Sequence, residues 1–214
     1  MRGVLAAAIV VAVLGLAAAC GGDGGNGEGG AAFTPSTGGL SGGPEPMLEM
    51  PVSRFAPALE EMPGPFSVNV PETFGLSAAT WSVIGPFDNP QQGEQLAGEW
   101  GYIEGWRVLY DPDGLLSGVV EGRYYATIEV HLFKTADGAK KAYAQYLEKS
   151  SGREGSERQS ARGLGNESSG WAFVQGTVGT TDMVAVYHRF IFRRGNLVTS
   201  VITYGGQPFL TIDP

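Results

Sequence analysis

The residue types able to do chemistry are few in this chain, and their spacing decides what they could do. There is one thiol, Cys20, and there are two imidazoles, His131 and His188. A metal site needs several nitrogen, sulfur or carboxylate ligands at short spacing. Two histidines 57 positions apart in sequence do not supply one. A nucleophilic site needs a base beside a hydroxyl or thiol. The hydroxyls of Gly165-Asn166-Glu167-Ser168-Ser169-Gly170 lie in a polar stretch and lack the Gly-x-Ser-x-Gly spacing of a strand-to-helix elbow. Gly163 and Gly165 begin a Gly-x-Gly, but Ser168 stands where a third glycine would be needed for dinucleotide binding. Paired carboxylates could serve glycoside hydrolysis. Glu94, Glu99 and Glu104 recur at intervals of five, which places them on a common face of neither helix nor strand, so they are expected to be solvated. No catalytic residue, metal or cofactor is assigned. What remains is binding chemistry. Trp100, Tyr102, Trp106, Tyr110, Tyr124 and Tyr125 cluster in sequence, either as core packing or as the lining of an apolar groove. Trp100, Trp106 and Tyr110 are the candidate binding aromatics. Arg189, with Arg193 and Arg194 near it, is the candidate for facing an anionic group.

The elements that position these residues can be read from hydrophobic period and punctuation. Val52, Phe55, Ala56, Leu59 and Met62 make an approximate helical stripe ended at Pro63-Gly64-Pro65. Phe66, Val68 and Val70 alternate as a short strand. Ser77 to Ile84 and Gln91 to Trp100 read as short helices. Trp106, Val108 and Tyr110 alternate and stop at the turn Asp111-Pro112-Asp113-Gly114. Ala126, Ile128, Val130 and Leu132 alternate with Tyr125, Thr127, Glu129 and His131, giving a half-buried strand over Arg123–Lys134 with His131 at the surface. Thr135 caps a helix over Ala136–Ser150 that turns Ala139, Ala142, Tyr143, Tyr146 and Leu147 to one side. A polar loop follows from Ser151 to about Ser169, and then a strand over Trp171–Val178. Met183–Arg193 and Leu197–Tyr204 form a hairpin through Gly195-Asn196. That two-residue turn sets Phe192 against Thr199, Phe190 against Val201 and His188 against Thr203. Without βαβ alternation the expected class is α+β: an antiparallel sheet of five or six strands with helices packed on one face.

The N-terminus carries a different signal. Met1-Arg2-Gly3 is a short positive start, Val4 to Leu16 is a run of thirteen apolar residues, and Ala17-Ala18-Ala19-Cys20 follows. This is the layout of a secretory signal, and it is short for a membrane span, which needs about 20 apolar residues. The cysteine directly after small residues resembles the lipobox of bacterial lipoproteins, with Leu16 four before it and alanine in place of the commoner leucine three before. The resemblance covers residues 1–20. It implies a signal peptide over 1–19, cleavage before Cys20, and lipidation of that thiol, including palmitate-type acyl chains. Residues 20–48 read as the lipidated cysteine and a Gly-rich linker that cannot offset its own ordering entropy. About 26 such residues have an r.m.s. span of roughly 25–30 Å. Residues 49–214 read as one α+β domain of roughly 165 residues, enough to bury about two-thirds of its unfolded surface. Thr211-Ile212-Asp213-Pro214 has the form of a helix start with no helix after it, so a chain truncated at the C-terminus is expected.

Charge and family likeness complete the reading. The net charge is −8. Loss of Arg2 with the signal leaves 13 Lys+Arg against 22 Asp+Glu, a balance that excludes nucleic-acid binding through a basic face. The element order, with Ile128-Glu129-Val130-His131-Leu132-Phe133 and Phe192-Arg193-Arg194-Gly195-Asn196, resembles small secreted bacterial domains such as the extracellular sensor domains of actinobacterial serine/threonine kinases and related lipoproteins. That likeness implies an extracytoplasmic sensor or binding module; with the lipobox and the lack of a catalytic constellation, the expectation is a non-enzymatic module held by its lipid on the extracytoplasmic face of the cell membrane or envelope. Its expected role is binding an apolar small molecule, a glycan or an envelope protein. The alternatives are a structural lipoprotein docking on a larger assembly and a hydrolase with an unfamiliar site.

Overall fold

The structure, a computed structural model, describes residues 47–62, 66–112, 125–161, 163–178 and 182–207. The signal, Cys20, most of the linker, the turn beyond Pro112 and the C-terminal Thr211-Ile212-Asp213-Pro214 lie outside them. Its frame is an antiparallel sheet of eight strands: β1 (Ser67–Val68), β2 (Phe74–Leu76), β3 (Tyr102–Asp111), β4 (Tyr125–Phe133), β5 (Glu157–Gln159), β6 (Glu167–Thr177), β7 (Val184–Arg194) and β8 (Leu197–Gly206). The order is β1-β3-β4-β8-β7-β6-β5, with β2 also on the free side of β3. The α+β class stands, and the strand count is corrected from five or six to eight. The five long strands are the ones that alternation reveals. The other three have two or three residues each, too short to carry a period.

Among the described residues three α-helices cover one face: α1 (Ala78–Ile84), α2 (Pro90–Trp100) and α3 (Ala136–Ser151). Their starts follow capping chemistry, since Ser77, Asn89 and Thr135 each accept a backbone N–H three residues on. Helix α2 ends at Gly101, whose φ of 68° suits a residue without Cβ. The amphipathic face expected of α3 is present, with Ala139, Ala142, Tyr143 and Tyr146 buried.

The opposite face is covered by the incoming chain. Val52, Met62, Phe66 and Leu164 pack there on Val108, Tyr110, Ile128, Val130 and Phe190. This segment is not the helix expected over 51–61. It forms 3-10 turns at Val52–Phe55 and Leu59–Glu61, separated at Pro57, which lacks an N–H and excludes helical geometry just before it. Nor do Phe66, Val68 and Val70 form one strand: β1 ends at Val68, and Val70 starts a 3-10 turn with its side chain 74% exposed. With both faces covered, β4 is buried throughout except at Tyr125, instead of half-buried. The polar loop expected over 151–169 contains β5 and the start of β6. The terminal hairpin has the expected register: Phe192 opposite Thr199, Phe190 opposite Val201, His188 opposite Thr203.

Candidate functional site: a groove on one face and a buried polar chain on the other

Strand alternation decides which candidate residues can meet. Trp106, Val108 and Tyr110 point to the face under the incoming chain, opposite Val130, Ile128 and Ala126 of β4. There they form the floor of a groove of about 540 Å³, walled by Ala56, Pro57 and Leu59 of the 3-10 segment. The Tyr110 hydroxyl donates to the Pro57 carbonyl, fixing the wall to the floor. Burial, and then the charge of Glu61, push the Tyr110 phenol up to about 12, so it stays a donor across the physiological range. Trp106 is half-buried and Leu59 is 42% exposed, so apolar surface reaches the mouth. Glu60 and Glu61 stand at the rim with Arg54. An apolar floor with a few polar groups at the edge is the common form of a binding cleft.

Trp100 and Arg189 are not part of this groove. Trp100 ends α2 on the helix-covered face, with its ring 6.3 Å from Trp81 and 6.1 Å from Phe87. Arg189 points to the same helix-covered face, because the sheet places it opposite Trp171 and Ile202. The four candidate binding residues therefore divide between two faces.

The helix-covered face holds the main departure from the sequence reading. His131 was expected at the surface and is instead fully buried. Helix α3 lies over it, and Tyr146 brings its hydroxyl to 2.9 Å from His131 Nε2. Trp81 of α1 donates its indole N–H to the same hydroxyl at 3.1 Å and stacks on Tyr102 at 4.5 Å. Gly105 makes room: a Cβ there would fall 2.4 Å from the Tyr102 hydroxyl and 3.0 Å from His131 Nδ1. Glu129, two residues along β4, is 3% exposed and accepts from Arg107 Nη1 at 2.5 Å. Its other oxygen is 3.8 Å from His131 Nε2. Burial raises the Glu129 carboxyl, but His131 beside it and the Arg107 and Arg189 guanidiniums outweigh burial and hold it below the ordinary carboxylate value. Burial, with the charge of Glu129, raises the Tyr146 phenol.

A carboxylate, an imidazole and a phenol in line can share a proton. Here all three are closed off, at 3%, 0% and 0% exposure. A substrate would have to displace α3 to reach them, so their geometry suits holding helices to sheet. His188 is also buried, on the opposite face, so the two imidazoles cannot share a metal. Among the described residues no cluster of three or more His, Cys, Asp or Glu side chains is placed to hold one. Glu94, Glu99 and Glu104 are exposed, as expected. Among the described residues no helix is long and apolar enough to cross a membrane.

No family model and no curated protein matches the chain. Among solved structures it is similar to the extracellular domain of PknH from Mycobacterium tuberculosis, at 13% identity and a TM-score of 0.30, over 66% of this chain and 68% of that one. A likeness of that extent assigns no function.

Proposed function

We infer that this protein is a lipid-anchored binding module on the extracytoplasmic side of a bacterial membrane, and that its ligand occupies the Trp106 groove. The groove carries the reading. The half-buried Trp106, with Leu59 at the mouth, offers apolar area at low conformational cost above a floor closed by the buried Val108 and Tyr110, and about 540 Å³ accommodates a small molecule or a short peptide segment. A protein that served only as a structural docking piece would present its aromatics on a flat patch, whereas here they form a floor between walls. A hydrolytic role finds less support, because the titratable groups that converge do so beneath α3. The tether follows from Cys20 and its flanking residues. A single acyl chain anchors marginally, and two or three hold a protein to the membrane persistently.

The test is native mass spectrometry of the chain purified from its own membranes. A ligand that co-purifies with the wild-type chain and is lost with Trp106→Ala supports the groove. Retention of the same ligand by that variant, with the fold intact, contradicts it.

A further inference from the structure

Among the described residues, exposed apolar side chains gather where the chain enters the domain. Met47, Met50 and Ile103 are 50%, 53% and 51% exposed. All three line one open depression of about 660 Å³, with the buried Leu132 in its lining and the exposed Lys134 beside it. Single exposed apolar residues are normal on a protein surface. A group drawn from separate stretches of chain to one depression marks a contact surface instead.

The entering chain is fixed at this place. Asn196, in the turn between β7 and β8, accepts from the Leu48 N–H at 2.7 Å and donates to the Leu48 carbonyl at 3.2 Å and the Phe133 carbonyl at 2.8 Å. The Glu104 carboxylate accepts from the Val52 N–H at 3.2 Å. These bonds hold residues 47–52 against the start of β3, the end of β4 and the hairpin turn, which lie together at one end of the sheet. Met183, just ahead of β7, lies at the other end. Residues 21–46 join Met47 to Cys20. With Cys20 held at a bilayer, the end where Met47 enters is the part of the domain that the anchor brings first to the lipid.

Charge narrows the kind of surface that fits. Glu49, Glu104 and Lys134 flank the depression, two carboxylates to one ammonium. Such a rim gains nothing from anionic headgroups, which reward clustered Lys and Arg. The Lys134 stem can lie along apolar side chains while its ammonium stays in water. What the end of the sheet offers a bilayer is therefore apolar area.

We propose that this end of the sheet rests on the bilayer that carries the anchor, with Met47, Met50 and Ile103 seated at the boundary between headgroups and acyl chains. The contact depends on the tether inferred above for Cys20, and it sets an orientation that a tether alone leaves open. Methionine oxidation tests it with native residues as probes, since a thioether covered by lipid is shielded from an oxidant confined to water. The full chain, made without lipidation, is coupled through its one thiol to a maleimide lipid in phosphatidylcholine vesicles. It is then treated with chloramine-T and read by peptide mass spectrometry, against the same chain capped with N-ethylmaleimide and kept free of vesicles. Coupling is expected to slow sulfoxide formation severalfold at Met47 and Met50 and to leave Met183 unchanged. Ile103→Asp, at an exposed position, is expected to return Met47 and Met50 to the rates of the capped chain. Equal rates in coupled and capped chains, or a slowing shared by Met183, overturns the contact. Protection that survives Ile103→Asp overturns the role of the apolar group. Protection that appears only when phosphatidylglycerol replaces part of the phosphatidylcholine overturns its apolar character. Protection in the capped chain that rises with protein concentration gives the surface to a second copy instead of the bilayer. Because coupling imposes the tether chemically, these outcomes stand whether or not the cell lipidates Cys20, which palmitate labelling reads separately.

Discussion

Among single residues, Glu129 has the largest predicted effect on stability. It is a buried carboxylate bonded to Arg107 at 2.5 Å and flanked by His131 and Arg189. Removing one partner of a buried pair leaves the other charge uncompensated, so Glu129→Gln should cost about 3 kcal/mol in chemical denaturation. The same carboxyl sets a pH dependence. Its folded pKa lies below its ordinary value of 4.5, so the unfolded chain takes up this proton first as pH falls. The stabilisation is therefore complete above about pH 4.5 and declines as pH drops through the lower folded value. Thermal melting from pH 6 to pH 3 should show that decline in the wild type and a smaller one in Glu129→Gln. Equal slopes would remove the ion pair from the account. None of this burial was legible in the sequence. Thr127, Glu129 and His131 alternate opposite an apolar set, which reads as a solvated face. The sequence shows that α3 has an apolar side, but not on which face of the sheet it lands.

At the scale of elements, local chemistry was legible where it is self-contained. The Gly195-Asn196 turn fixed the register of β7 and β8, and Thr135 marked the start of α3. Elements failed to read where they are short or where one residue breaks a period. The three-residue strands β2 and β5 carry no alternation, the alternation of Phe66, Val68 and Val70 overruns the two-residue β1, and Pro57 divides what otherwise scans as a helix. Two contacts between elements also have no sequence signal. Gly138 near the start of α3 sits so close to the end of α2 that a Cβ would fall 2.0 Å from the Trp100 carbonyl oxygen. Helix propensity alone predicts that Gly138→Ala gains about 1 kcal/mol. The clash predicts instead a loss of about 1–3 kcal/mol, read as a lower melting temperature. The second contact is Asn196, 2% exposed, which accepts from the Leu48 N–H at 2.7 Å and donates to the Phe133 carbonyl at 2.8 Å and the Leu48 carbonyl at 3.2 Å. One amide thus joins the hairpin, the end of β4 and the incoming chain. Asn196→Ala should cost about 1–3 kcal/mol, and hydrogen exchange should rise first around Leu48. Unchanged protection there would mean that the amide does not hold the incoming chain.

For the whole molecule, the sheet separates two chemistries. The face under the incoming chain carries the apolar groove. The helix-covered face carries the buried ionic chain. The sequence pointed to Trp100, Trp106, Tyr110 and Arg189 as binding residues, yet it could not divide them between faces, because that depends on strand register and on which face the helices cover. The central claim is that this domain works while tethered by lipid at Cys20, and metabolic labelling with a palmitate analogue followed by membrane fractionation tests it most directly. The account predicts that the wild-type chain is labelled and sediments with membranes, and that Cys20→Ser is unlabelled and is lost from the membrane fraction. A Cys20→Ser chain that still sediments with membranes, or a wild-type chain that takes no label, would contradict it.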